Sequence, residues 1–221
     1  MPAVSELKAT RGGRIAVHLD GEYACTVSQA LVARLRLHEG RSLTEAEARD
    51  LRREAARDDA MQAAYRLLNH RQRSTKELSD RLAARGVSAD VVQSTVDALA
   101  ADGLLDDAAF AAAFVSDKRR LNNWGSLRIE QALRRLGVPS QIVASALGGP
   151  GDENTGPEAE DARADAALAK FGVPKPPLEA ARRRAIAYLQ RRGFSVGVAL
   201  AAVQRWTAVP GPAQDQDHLD L

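Results

Sequence analysis

The chain holds a single cysteine, Cys25, among 221 residues. No disulfide can form within it, which suits a reducing compartment and sets the expectation of a cytoplasmic protein. The four histidines, His18, His38, His70 and His218, are scattered. None has the Cys/His spacing of a metal site, so no metal is expected. No run of about 18 apolar residues exists, so no membrane span is expected. The first residues lack the apolar stretch of a secretory signal. Aromatic residues make up only 4% of the chain, so its core must come from small and aliphatic side chains. The net charge is only +2, and any electrostatic attraction has to arise from local clustering. A phosphate-cradling glycine loop and a nucleophile–base pattern are also missing. The expectation is a protein that is not an enzyme, with no catalytic residue and no cofactor.

What is abundant is alanine, leucine and arginine, residues that lose little side-chain freedom in a helix. The chain opens differently. Arg14 to Leu19 alternates, placing Ile15, Val17 and Leu19 on one face, and Asp20-Gly21 is a two-residue hairpin signal with Glu22 to Val27 as the return strand. Ser28 then starts a helix that is expected to reach about Leu37 and stop near Gly40. Thr44 and Glu47 form a capping-box pattern for a helix carrying Leu51, and Ser74 and Glu77 form a second one. A separate helix is read from Asp59, carrying Met61, Ala64, Tyr65 and Leu68. Beyond Gly103, Asp106 reads as the cap of a helix with Phe110 and Phe114. Asp106 and Asp107 are a carboxylate pair, but at a helix start capping is the reading.

Three segments repeat one pattern: LAARGV from Leu82, LRRLGV from Leu133 and LQRRGF from Leu189. An apolar residue precedes each leucine by four, a glycine follows it by four, and an apolar residue comes next. Gly86, Gly137 and Gly193 are 51 and 56 positions apart, so the unit is about fifty residues and three helices. One such triplet is too small to bury all its apolar faces alone. The expected fold is mainly α, with tandem three-helix repeats in an elongated curved array and a small N-terminal β-hairpin and helix segment. The expected divisions are 1–57 for that segment, 58–104 and 105–149 for two repeats, 150–206 for a linker and third repeat, and 207–221 for a disordered tail. The glycine-rich stretch Gly148 to Gly156 supplies the linker.

The stretch from Ala64 to Gly149 resembles the RecX family. The resemblance is carried by LLNHRQRSTKEL at Leu67 to Leu78, by the LAARGV turn, by GLLDDAAFAAAFV at Gly103 to Val115, and by the glycine of NWGSLRIEQALRRLGV. It implies three tandem three-helix units and a regulator that binds RecA and the RecA–DNA filament. It further implies inhibition of ATPase, strand-exchange and coprotease activity, with consequences for recombination, DNA repair and the SOS response, and some contact with single- or double-stranded DNA. A monomer with no membrane association is expected.

The residues that could make such contacts are basic. Between Pro176 and Trp206 there are six arginines and one acid, Glu179. Arg184, Tyr188 and Arg191 fall on one helical stripe, with Arg183 beside it. A second cluster joins Lys118, Arg119 and Arg120 to Arg128, Arg134 and Arg135, with Trp124 in the loop between. Arg128 and Arg135 lie opposite Ile129, Leu133 and Leu136 and should face water. Both groups suit phosphate or an acidic protein surface, with Tyr188 and Trp124 as anchors. Both also suit solvated helix faces, with Tyr188 and Trp124 packed at the edge of the core. Arg71, Arg73, Arg81 and Arg85 are read as structural, since Glu77 precedes Arg81 by four. A helix-turn-helix transcription regulator is the alternative function, although the third helices lack base-reading side chains. A scaffold for an unrelated partner is a third.

Overall fold

The structure, a computed structural model, describes residues 1–148 and 156–208. It divides into two units, Met1–Asp106 and Asp107–Leu221.

In the first unit three antiparallel strands form one sheet, ordered β1 (Val4–Ala9), β2 (Ile15–Leu19), β3 (Glu22–Val27). The β2–β3 hairpin turns on Asp20 and Gly21, with φ of 51° and 87°, the positive values that a type I′ turn needs. β1 is an addition to the expected hairpin. Its pairing with β2 shifts register between Val4 and Glu6, so its inward residues Val4 and Leu7 stand three apart. That bulge hides the strand's alternation. Helix α1 (Gln29–Arg34) is capped by Ser28, whose hydroxyl accepts from the Leu31 N–H at 3.2 Å. It ends before Leu37, because Arg36 takes a positive φ of 51°.

Helix α2 runs unbroken from Glu45 to His70. The sequence was expected to give two helices here, with a boundary between 57 and 58. No glycine, proline or left-handed residue interrupts the stretch, so one rod of roughly 39 Å forms instead. Thr44 and Glu47 make the expected reciprocal capping box at its start. The first half of α2 closes a core with the sheet and α1 through Ala48, Leu51 and Ala55. The second half, through Ala63 and Ala64, joins α3 (Thr75–Ala83) and α4 (Ala89–Ala101) in another, around Leu78, Leu82, Val96 and Leu99. Full burial of each such leucine contributes roughly 1.5–3 kcal/mol.

At α3, Ser74 Oγ accepts from the Glu77 N–H at 3.1 Å, the forward half of the expected box. The Glu77 carboxylate serves arginines: Oε1 accepts from Arg71 at 2.6 Å, from Arg81 at 3.1 Å, and from Arg73. Burial pushes the Glu77 carboxyl up, but hydrogen bonds and charge from Arg71, Arg81 and Arg73 outweigh it and hold the group below its ordinary value of 4.5. The Arg73 side chain is only 5% exposed, so the carboxylate neutralises a buried guanidinium. Glu77→Gln is therefore expected to destabilise the first unit by about 2 kcal/mol in urea melts. A group whose folded pKa is depressed stabilises fully above its unfolded pKa and ceases to do so as pH falls through the folded value. The gap between parent and variant should accordingly close on acidification below the ordinary carboxylate range.

The second unit holds two triplets. The first comprises α5 (Asp107–Asn122), α6 (Ser126–Arg135) and α7 (Ser140–Gly148), around Phe110, Val115, Ile129, Leu133 and Val143. The other comprises α8 (Pro157–Phe171), α9 (Leu178–Arg191) and α10 (Val196–Ala208). Its core takes Ala164, Ala167 and Leu168 of α8 with Ala185, Leu189, Phe194 and Val203. The α8 alanines picked out by the sequence, Ala162 and Ala166, are exposed instead. The expected linker lies almost entirely outside the described residues, as does the expected tail beyond 208; residues 207 and 208 complete α10.

The three aligned glycines share one backbone arrangement. Gly86, Gly137 and Gly193 have φ of 82°, 77° and 87°. In each turn the glycine N–H bonds three residues back, and the next residue's N–H bonds to the leucine carbonyl five back, as in Val87 to Leu82, Val138 to Leu133 and Phe194 to Leu189. This is the Schellman closure, which a left-handed glycine makes possible.

Candidate functional site

The exposed basic side chains of the second unit are set by a joint between its two triplets. At the start of α6 three consecutive backbone N–H groups donate to the other triplet. Gly125 bonds to the Arg192 carbonyl at 2.9 Å, Ser126 to Glu160 Oε1 at 2.9 Å, and Leu127 to the Gly193 carbonyl at 3.1 Å. The amino end of one helix thereby satisfies the carbonyl end of another, and their dipoles complement each other. The approach is so close that a Cβ on Gly125 would lie 2.3 Å from the Gly193 oxygen, and one on Gly193 would lie 2.3 Å from the Arg128 Cβ.

This joint opens a cleft of about 750 Å³ between α6 and the end of α9. Arg128, Arg134, Arg135 and Arg191 line it, with Gln131, Gln190 and the lone carboxylate Glu130. Glu130 is paired with Arg134 at 2.7 Å. Arg128 is held in place: its Nη1 donates to the Arg191 carbonyl at 3.0 Å, and its guanidinium lies 4.1 Å from the Trp124 ring centroid. The side chains of Arg135 and Arg191 are exposed and make no hydrogen bond or ion pair among the described residues. A fixed guanidinium beside uncommitted ones suits a bidentate carboxylate or phosphate.

The structure thus regroups the residues expected from sequence. Arg128, Arg135 and Arg191, drawn from both clusters, meet in one cleft. Arg134 joins them, as does Gln131; the i, i+3, i+7 spacing of 128, 131 and 135 was the available signal for the latter. Arg184 lies elsewhere, on a separate cleft with Lys175, Phe171, Val173 and Trp206. Arg183 is exposed. Tyr188 is half-buried against Phe171, 4.7 Å between ring centroids, with the Arg192 guanidinium 4.8 Å from its own centroid. It covers the core edge and does not link Arg184 to Arg191 as an exposed anchor. Trp124 is likewise half-buried, with Lys118 Nζ 5.3 Å and Arg128 4.1 Å from its centroid, so it serves as a platform for cations. Arg120 is exposed and pairs with Asp117 at 3.6 Å.

Arg119 requires a correction. Expected on the basic face, it is buried, and its Nη2 donates to the Leu147 carbonyl in the last turn of α7 at 2.9 Å. Position 119 continues the inward stripe of Ala111 and Val115, the four-residue spacing that carries it into the core.

Elsewhere, Cys25 is half-buried in β3. Burial pushes its thiol up, against the opposing pull of Arg52 and Arg14, which keeps it in the unreactive protonated form. Among the described residues no cluster of His, Cys, Asp and Glu could hold a metal, and no helix is long and apolar enough to cross a membrane.

Comparison with known proteins places these triplets. The profile for the first three-helix domain of RecX matches residues 60–99, and that for the second matches residues 106–147. The Regulatory protein RecX of Xanthomonas oryzae pv. oryzae (strain MAFF 311018) is 37% identical over 146 residues, 66% of this chain and 87% of that protein. The Regulatory protein RecX of Geobacillus thermodenitrificans is 34% identical over 135 residues, 60% of this chain. The match spans only 50% of the Geobacillus protein's length. A crystal structure of regulatory protein RecX superposes with a TM-score of 0.66 at 23% identity, over 90% of this chain and 97% of that one. The crystal structure of RecX from Lactobacillus salivarius gives 0.58 at 17%, over 68% and 96%. At these identities the structural likeness is one of fold.

Proposed function

This chain belongs to the RecX family, and from that premise we propose that it is a regulator that binds RecA and its nucleoprotein filament and lowers RecA's ATPase, strand-exchange and coprotease activity. The observation that carries the reading is the register of the two family domains on the first two triplets. The cleft of Arg128, Arg134, Arg135 and Arg191 supports it as the contact face. Its guanidiniums are suited to carboxylates of a protein partner, and secondarily to the phosphates of DNA in the filament. Arg120, Arg183 and Arg184 add exposed charge outside the cleft, while Lys118, Trp124 and Tyr188 position their neighbours. The proposal includes a monomer acting in the cytoplasm.

A transcription regulator of the helix-turn-helix kind fits less well. In the first triplet α4 exposes Asp90, Gln93, Ser94 and Asp97, so two carboxylates sit where a groove reader needs cations.

Adding the purified chain to RecA on single-stranded DNA is expected to lower its rate of ATP hydrolysis in a dose-dependent way. A rate that stays constant at equimolar and higher ratios would overturn the proposal.

A further inference from the structure

The second cleft of this unit, about 450 Å³, is built where α8 ends, α9 begins and α10 ends. Its lining is apolar and aromatic: Phe171, Val173, Ala181 and Trp206, with Trp206 Nε1 donating to the Gly172 carbonyl at 2.8 Å. Phe171 is 38% exposed and Val173 64%. The charged groups on it are Lys175 and Arg184, both positive, and neither makes a hydrogen bond or ion pair among the described residues. Arg205, by contrast, is neutralised by Asp161 and Asp165 at 3.3 and 3.1 Å. A surface of this kind fits a ligand that is both apolar and acidic.

Such a ligand lies in the same chain. Residues 209–221 read VPGPAQDQDHLDL, with three aspartates, no lysine or arginine, and the apolar pair Leu219 and Leu221. The segment starts three residues after Trp206, which is itself part of the cleft. Its Pro210-Gly211-Pro212 run is a chain-reversal signal. Thirteen residues reach up to about 43 Å when extended, well beyond the need.

We propose that the segment 209–221 folds back in cis onto the cleft of Phe171, Val173 and Trp206, held by its aspartates against Lys175 and Arg184. In an extended segment Leu219 and Leu221 share one face, which meets the aromatic floor. Docking adds a regulatory device to the function proposed above, and only this consequence rests on that reading: the seated segment covers Arg184 and competes with an external anionic partner there.

Hydrogen exchange of the Gly172–Pro176 loop and the first turn of α9 tests docking without any partner protein. In the full chain at low salt these amides should exchange several-fold more slowly than in the D215N/D217N/D220N variant, and raised salt should abolish the difference. The K175E/R184E variant should lose the protection, and combining it with D215K/D217K/D220K should restore it, which a merely misfolded variant would not do. Equal exchange in parent and asparagine variant at low salt overturns the proposal. Protection that grows with protein concentration also overturns it, since the segment of a second copy would then be the occupant. RecA ATPase assays read the consequence separately: the asparagine variant should inhibit at lower concentration. Unchanged potency alongside lost protection would overturn the competition while leaving docking in cis intact.

Discussion

Alanine at Gly193 is expected to destabilise the second unit by about 4 kcal/mol, while alanine at the equivalent Gly86 should cost the first unit only about 1 kcal/mol. Both glycines have a left-handed φ, 87° and 82°, so both substitutions strain the backbone equally. They differ in surroundings. A Cβ at Gly86 meets nothing within 4 Å, whereas one at Gly193 would lie 2.3 Å from both the Cβ and the backbone nitrogen of Arg128. Gly125→Ala isolates the steric part. Its φ of −75° is ordinary, yet its Cβ would fall 2.3 Å from the Gly193 oxygen, so a cost of about 3 kcal/mol is expected. The double variant should cost less than the sum, because both changes force open one contact. Trp124 and Trp206 both lie in the second unit, so tryptophan fluorescence in urea reports it directly, and circular dichroism serves for Gly86.

That contrast also marks what could be read in the sequence. The three turns were legible because their chemistry is local: a leucine, a glycine four on and an apolar residue next suffice to specify a Schellman closure. The hairpin was legible for the same reason, from Asp20 and Gly21. The pressing of Gly125 on Gly193 was not, since it joins residues 68 positions apart and leaves no periodic trace. β1 escaped notice because its bulge breaks the two-residue alternation between Val4 and Leu7. α2 was divided in error because Asp58-Asp59 looks like a helix start. Those carboxylates face sideways, with Asp58 Oδ2 accepting from the Ser28 N–H at 2.7 Å and from Arg14 Nη2 at 3.2 Å. For the candidate site, helical spacing gave the exposure of Arg128, Arg135 and Arg191 correctly. Their convergence required the joint between triplets, and the inward turn of Arg119 was concealed by the basic run around it.

Reversing charge at both Arg135 and Arg191 to glutamate is expected to raise the concentration needed for half-maximal inhibition of RecA ATPase by about tenfold or more, equivalent to about 1.4 kcal/mol of binding. Neither side chain holds a hydrogen bond or ion pair among the described residues, so the thermal midpoint should barely change. Arg128 is less suitable for this test, because it also secures the Arg191 carbonyl and covers Trp124. Arg119→Gln should behave in the opposite manner. Loss of the charged donor to the Leu147 carbonyl should lower the midpoint, while potency measured well below that midpoint stays near the parent value. If the R135E/R191E variant inhibits as well as the parent at low salt, the basic cleft is not the face that meets RecA.

The long α2 rod has a practical bearing on how the molecule can be taken apart. A fragment cut at residue 58 to isolate the first triplet would begin halfway along that rod. It would expose new amide groups at the cut and remove the turns that rest on the sheet. The sheet-bearing piece would fare no better, left with a stub carrying Ala48, Leu51 and Ala55 and no continuation to hold it helical. Strand hairpin and triplet are thus bound together like two beads threaded on one needle, and residues 1–106 form the shortest first-unit fragment that keeps the needle whole.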